Sequence, residues 1–143
     1  MFSLIYRSVA RESFIESDIY KMLSDARDFN AEHHITGCLL YHDRKFLQLL
    51  EGEKSVIISL FNAIESDPRH HKIAVLKTED RQDRIFDRWS MAFYDYGNLR
   101  LSAQHKLRQI DQFFESSRAF EKSSKLTSNY FGEVREMLLE STL

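Results

Sequence analysis

Three polar side chains in this 143-residue chain stand where the hydrophobic pattern asks for apolar ones. Tyr6 shares one face of an alternating segment with Phe2 and Leu4. Gln48 lies between Phe46 and Leu50 on one face of another. Asn30 falls on the apolar stripe of a helical stretch, seven residues after Leu23. A buried amide or phenol without a partner costs about 1–3 kcal/mol. All three therefore need partners, either one another or a ligand. Taken singly, each has an ordinary explanation. A tyrosine on a central strand is commonly core with its hydroxyl at the rim, a strand glutamine commonly faces solvent, and an asparagine near a helix end is a common C-cap. Trp89 and Met91, likewise, are by themselves plain core packing.

Other chemistries find less support. His33-His34 and His70-His71 are adjacent pairs whose side chains point apart, so no metal site is expected. Gly37 and Gly52 belong to no G-x-x-x-x-G-K phosphate loop, and no nucleophile motif occurs. Cys38 sits in an apolar strand and reads as an inert buried thiol.

The elements that must hold these residues follow from periodicity. Phe2 to Arg7 alternates with apolar residues on both faces, the mark of a central strand. Ser13-x-x-Glu16 resembles a capping box ahead of a helix whose stripe is Ile19, Met22, Leu23 and Ala26. Ile35–Tyr41 and Phe46–Glu51, joined by His42-Asp43-Arg44-Lys45, read as a β-hairpin. Gly52 and Glu53 open a second helix with Ile57, Leu60, Phe61 and Ile64 on one face, and Pro68 ends it near Asp67. Ile73–Lys77 is a fourth strand, the charged stretch 79–88 a solvated loop, and Trp89, Met91 and Phe93 share a face of a fifth strand. From Leu101 the pattern is helical, as two helices breaking near Ser116–Ser124.

This order predicts an α+β fold: a ferredoxin-like β-α-β-β-α-β-β chain forming a mixed five-stranded sheet, two helices on one face and the C-terminal helices on the other. Residues 1–97 are expected to form the principal domain and 98–143 a helical extension packed on the sheet. With 43% hydrophobic and 29% charged residues, the composition is that of an ordinary globular protein. A net charge of −2 carries no nucleic-acid footprint. No run approaches the roughly 20 apolar residues of a membrane helix. The N-terminus lacks a signal-peptide pattern, and one cysteine permits no intramolecular disulfide. A cytoplasmic location is the expectation.

Taken together these positions resemble the BLUF family, blue-light sensors that use flavin. The likeness is carried by Leu4-Ile5-Tyr6-Arg7-Ser8, Asn30, Ile35-Thr36-Gly37 with Leu39-Leu40-Tyr41, and Phe46-Leu47-Gln48-Leu49-Leu50-Glu51-Gly52. It continues through Asp67-Pro68-Arg69-His70 and ends at Trp89-Ser90-Met91. It covers about residues 1–97 in order and spacing. The remaining 46 residues resemble, less specifically, the C-terminal helices of short stand-alone members.

The resemblance implies a non-covalently bound flavin, FAD in the first instance with FMN or riboflavin as alternatives, lying between the two helices near the sheet. Ile64 and the Met22–Leu23 region would sandwich the ring. Asn30 matches the amide that pairs with the pyrimidine edge; Arg69 and His70 match positions beside the C2 carbonyl, and Asp67 belongs to the same cofactor-binding set. Gln48 matches the switching amide, Tyr6 its phenol partner, and Trp89 and Met91 the two residues that compete for the place next to that Gln. In the family's outline, excited flavin takes an electron and then a proton from Tyr6. Back-transfer leaves Gln48 rotated or tautomerised, and a new hydrogen bond to the flavin C4 carbonyl shifts absorption to the red. Phe29 departs from a position that is polar in many members, and Ala63 from one that is Arg in some short members, which bears on phosphate contacts. No substrate would be turned over. Without an attached effector, a separate downstream signalling protein and a homo-oligomer are the expected partners, with no direct nucleic-acid or membrane contact. The competing readings are a small ferredoxin-like enzyme such as a phosphatase, which would need an anion cradle, and a light-independent ligand-binding or interaction module.

Overall fold

In the computed structural model the described residues are 1–15, 17–42, 44–86 and 89–93. They form β1 (Phe2–Ala10), α1 (Ser17–Glu32), β2 (Thr36–His42), β3 (Lys45–Gly52), α2 (Lys54–Glu65), β4 (His70–Asp80) and β5 (Trp89–Phe93). The sheet order is β4-β1-β3-β2-β5. The first four strands pair antiparallel, and β5 joins parallel to β2. This is the α+β, ferredoxin-like arrangement expected from the element order. The C-terminal helices expected beyond residue 98 lie outside the described residues.

β1 is central because both of its faces are apolar. Phe2, Leu4 and Tyr6 join Leu39, Tyr41, Phe46, Leu50, Phe14, Ile57 and Phe61 in the core on the helical side. Ile5, Cys38, Leu40, Leu47 and Leu49 are buried on the opposite side of the pleat. Burial pushes the Cys38 thiol well above its ordinary range, so it stays protonated.

Several boundaries differ from expectation for local reasons. Helix α1 starts at Ser17 rather than beside Ser13, and it is the Asp18 carboxylate that accepts the Ile15 N–H at 3.1 Å. It ends in a six-residue Schellman turn: Ile35 N–H donates to the Asn30 carbonyl (2.8 Å), His34 N–H to Ala31 (3.4 Å), and His34 takes the left-handed φ of 55°. The terminating residue is thus His34, and Asn30 stands inside the last turn with its side chain free for other work. β4 is twice the expected length, and two register shifts against β1 mark it as irregular.

The segment after β4 is not the solvated loop its charge suggested. Phe86 is buried, and Glu51 of β3 is fully buried beneath it. The Glu51 carboxylate accepts from Thr36 Oγ1 (3.0 Å), Ile85 N–H (2.6 Å) and Phe86 N–H (3.1 Å). Arg84 bridges the Thr36 hydroxyl (2.6 Å) and the carbonyls of Glu51 (3.2 Å) and His34 (2.9 Å). A buried carboxylate is tolerated when its lone pairs are met this completely.

Candidate functional site

Between α1, α2 and the sheet lies a cavity of about 340 Å³, within the range that small-molecule pockets occupy. Its floor is Tyr6 of β1, Leu39 of β2, and Phe46 and Gln48 of β3. Met22, Ala26, Phe29 and Asn30 of α1 form one wall, and Leu60, Ala63 and Ile64 of α2 the other. Asp25, Asp67, Arg69 and His70 complete the lining.

The floor carries a short hydrogen bond. Tyr6 and Gln48 are cross-strand partners in the β1–β3 ladder, so their side chains share one face, and the Tyr6 hydroxyl donates to Gln48 Oε1 at 2.5 Å. Burial, and secondarily the negative charge of Asp67, push the Tyr6 phenol well above its ordinary range. It therefore stays protonated and acts as the donor. With its oxygen accepting from Tyr6, the Gln48 amide has its NH₂ left to offer, and this cavity-lining residue has no further hydrogen-bond partner among the described residues. Asn30 is 2% exposed, and its side-chain amide also makes no hydrogen bond among the described residues. Two buried amides thus border one cavity with unmet hydrogen-bonding capacity. Such a pair is costly unless something else meets it.

The rim is charged. Arg69 Nε donates to both Asp67 carboxylate oxygens (3.0 and 2.9 Å), Arg69 Nη2 to Oδ2 (2.5 Å), and the Arg69 N–H to Oδ1 (2.9 Å). Burial raises the Asp67 carboxyl, but these hydrogen bonds and the nearby positive charge outweigh it and hold the group below its ordinary value. His70 has both ring nitrogens engaged, Nδ1 with Ser8 Oγ at 2.7 Å and Nε2 with the Ile64 carbonyl at 2.6 Å. Phe29 is partly exposed and stacks on His33, with ring centroids 4.1 Å apart.

Of the residues singled out in the sequence, Tyr6, Gln48, Asn30, Met22, Ile64, Asp67, Arg69 and His70 all line this one cavity. Trp89 and Met91 are placed by backbone alone. Met91 pairs with Leu39, in the row that continues through Gln48 to Tyr6, and Trp89 pairs with Gly37. Their side chains, and that of Leu23, lie outside the described residues. Ser8 and the wall residue Leu60 were not foreseen as site residues. Ser8 had a signal: it follows Tyr6 by two positions and so falls on the same strand face.

The profile of the BLUF family, described as sensors of blue-light using FAD, matches residues 1–92. The chain belongs to the BLUF family. Among curated relatives, the blue light- and temperature-regulated antirepressor BluF of Escherichia coli (strain K12) is 36% identical over 107 residues, which cover 75% of this chain and 26% of that protein. The photoactivated adenylate cyclase subunit beta of Euglena gracilis is 31% identical over 90 residues, covering 62% of this chain and 10% of that protein. The chain thus spans about a quarter of the first of these relatives and a tenth of the second. Among solved structures, BlrB, a BLUF protein in its dark state, matches with a TM-score of 0.68 and 31% identity over 93% of this chain and 96% of its own. The BlsA ground state matches with a TM-score of 0.60 and 40% identity over 63% and 61%.

BLUF proteins sense blue light using FAD, and the cavity fits the ring of that cofactor. The apolar residues Met22 and Ile64 stand on facing walls. The unmet amides of Asn30 and Gln48 supply donors and an acceptor for a heterocycle edge bearing carbonyls and an N–H. Among the described residues no group of three or more His, Cys, Asp or Glu is placed to hold a metal, and no helix is long and apolar enough to cross a membrane.

Proposed function

We propose that this BLUF chain reports blue light through a Tyr6–Gln48 hydrogen-bond switch beneath FAD held by Asn30, and passes the change to a partner protein. The observation that carries the reading is the 2.5 Å Tyr6–Gln48 hydrogen bond on the cavity floor, with the Gln48 NH₂ left without a partner among the described residues. Bound FAD supplies light absorption and, when excited, oxidising power. Tyr6 is the donor of an electron and a proton; its pairing with Gln48 gives the proton a ready path, and its elevated pKa keeps it protonated until then. Gln48 has one donor end and one acceptor end, so rotation or tautomerisation exchanges what it offers to Tyr6 and to the cavity. Asn30 binds and orients without changing. Met22 and Ile64 would hold the ring and exclude water, and the Asp67–Arg69 pair at the rim would place positive charge near a ring carbonyl. Trp89 and Met91, on the strand that pairs with β2, are the exit of the signal toward residues 98–143, which follow a sensor domain of residues 1–97. The chain turns over no substrate and works in the cytoplasm as a homo-oligomer or with a separate effector. The antirepressor and cyclase names of its relatives support an output of this kind.

Tyr6→Phe and Gln48→Leu are each expected to retain FAD and to lose the reversible red shift under blue light. Absorption difference spectra of the FAD-loaded proteins test this. A normal red shift in Tyr6→Phe rules out Tyr6 as the donor.

A further inference from the structure

His70 differs from the other polar residues at the cavity because its two ring nitrogens already have protein partners, and those partners lie on two other elements. Nε2 is 2.6 Å from the carbonyl of Ile64, in the last turn of α2. A carbonyl only accepts, so Nε2 carries the proton. In the neutral ring Nδ1 is then an acceptor, and the Ser8 hydroxyl, 2.7 Å away, donates to it. Ser8 is 2% and His70 8% exposed, so bulk water is a poor substitute for either contact. The ring also stands edge-on to Tyr6 (centroids 6.4 Å, 73°) and to Phe46 (5.9 Å, 85°), which fixes its plane.

We infer that Ser8 is a positioning residue for the flavin site: by donating to His70, whose tautomer the Ile64 carbonyl sets, it fixes that ring's orientation, and through it the gap between β1 and the end of α2. The geometry favours this over a merely structural hydroxyl. The carbonyls of a helix's last turn lack partners along the helix. Ile64 accepts from the Ser66 and Asp67 N–H groups and additionally from His70. The Ile64 side chain faces the cavity from one end of this bridge and Tyr6, two residues before Ser8, from the other. Ser8, His70 and Ile64 thus form one strut across β1, β4 and α2, and its length sets the distance between the wall and the switching phenol. His70 then contributes wall geometry, with no ring N–H left over for a ligand carbonyl.

The role in cofactor binding rests on the FAD reading, whereas the strut itself does not, and the test separates them. Apoprotein labelled with ¹⁵N-histidine is compared as wild type, Ser8→Ala and Ser8→Thr, with His70→Gln to assign the ring signals. The wild type is expected to show an Nε2–H tautomer with a slowly exchanging ring proton. In Ser8→Ala that proton exchanges with water at least tenfold faster, and the Kd for FAD, read by fluorescence titration, rises roughly three- to tenfold. Ser8→Thr, which keeps the hydroxyl, restores both. An Nδ1–H tautomer in the wild type overturns the inference, as does Ser8→Ala with unchanged ring exchange or unchanged FAD affinity. The expected ring signals in a wild type that binds no FAD sustain the strut and overturn the FAD reading instead.

Discussion

Asn30 is the residue at which stability and function should pull in opposite directions. Its amide is buried, without a hydrogen-bond partner among the described residues, while its carbonyl is safely held in the Schellman turn by Ile35. Replacing it with leucine, a side chain of similar size, removes the unmet amide and leaves the turn intact. A dry unmet amide costs about 1–3 kcal/mol. Because this one borders an open cavity, the lower end applies, and leucine's better helix propensity adds a few tenths. Apo Asn30→Leu is therefore expected to be about 1 kcal/mol more stable than the wild type, with a Tm about 3–4 °C higher for a chain of this size. The same change removes two hydrogen bonds to the cofactor, each worth about 0.5–1.5 kcal/mol, and so weakens FAD binding by roughly 5- to 150-fold. Thermal melts of the apoprotein followed by circular dichroism give the first quantity, and FAD titration gives the second. In melts with excess FAD the order of the two proteins should reverse, since bound ligand stabilises the wild type by mass action. An apo variant that melts lower than the wild type, or one that binds FAD equally well, would refute the reasoning that Asn30 is kept for a ligand. A polar group retained at a cost in stability is the usual mark of a functional site.

Gly37 has φ +146°, and a Cβ added there would lie 2.0 Å from the backbone oxygen of Leu49, so Gly37→Ala should break the β2–β3 register next to Gln48 and cost more than about 3 kcal/mol in urea unfolding; a midpoint equal to wild type would contradict the register. Glu51→Leu leaves the Thr36 hydroxyl and the Ile85 and Phe86 N–H groups without their acceptor and should cost about 3 kcal/mol or more, with faster amide exchange at 85–86; unchanged exchange there counts against the latch. The folded chain holds the Tyr6 proton more tightly than the unfolded chain, whose phenol titrates near 10.0, so this contribution to stability is complete below about pH 10 and lost as pH rises from there. Denaturant unfolding across pH 9–11.5 should therefore fall less steeply in Tyr6→Phe than in the wild type, and parallel curves would rule out a buried, protonated Tyr6.

Much of the fold was legible because it rests on local periodicity. Alternation in Phe2–Arg7 and in the two hairpin runs, and the 3.6-residue stripe at Ile57, Leu60, Phe61 and Ile64, are properties of neighbours in the chain. So is the misfit of Tyr6, Gln48 and Asn30, which marked them before any contact was known. The differences fall where a different partner wins over the local pattern, once from nearby in the chain and once from far along it. The capping pattern at Ser13 lost to the Asp18 carboxylate three residues after Ile15. The charge of 79–88 suggested water, yet Glu51, more than thirty residues earlier, binds the backbone of Ile85 and Phe86 and draws that segment in.

The sequence by itself determined which residue types had to be reconciled with burial, because polarity and spacing are written in the chain. Only the tertiary structure decided who reconciles them. The β1–β3 register sets Tyr6 opposite Gln48 across 42 residues and makes a phenol and an amide into one hydrogen bond. The end of α2 meets the His70 ring, while the Asn30 amide meets no partner among the described residues. Spacing along one chain cannot distinguish these outcomes, because hydrogen bonds act over about 3 Å in space and their partners are chosen by how sheet and helices pack.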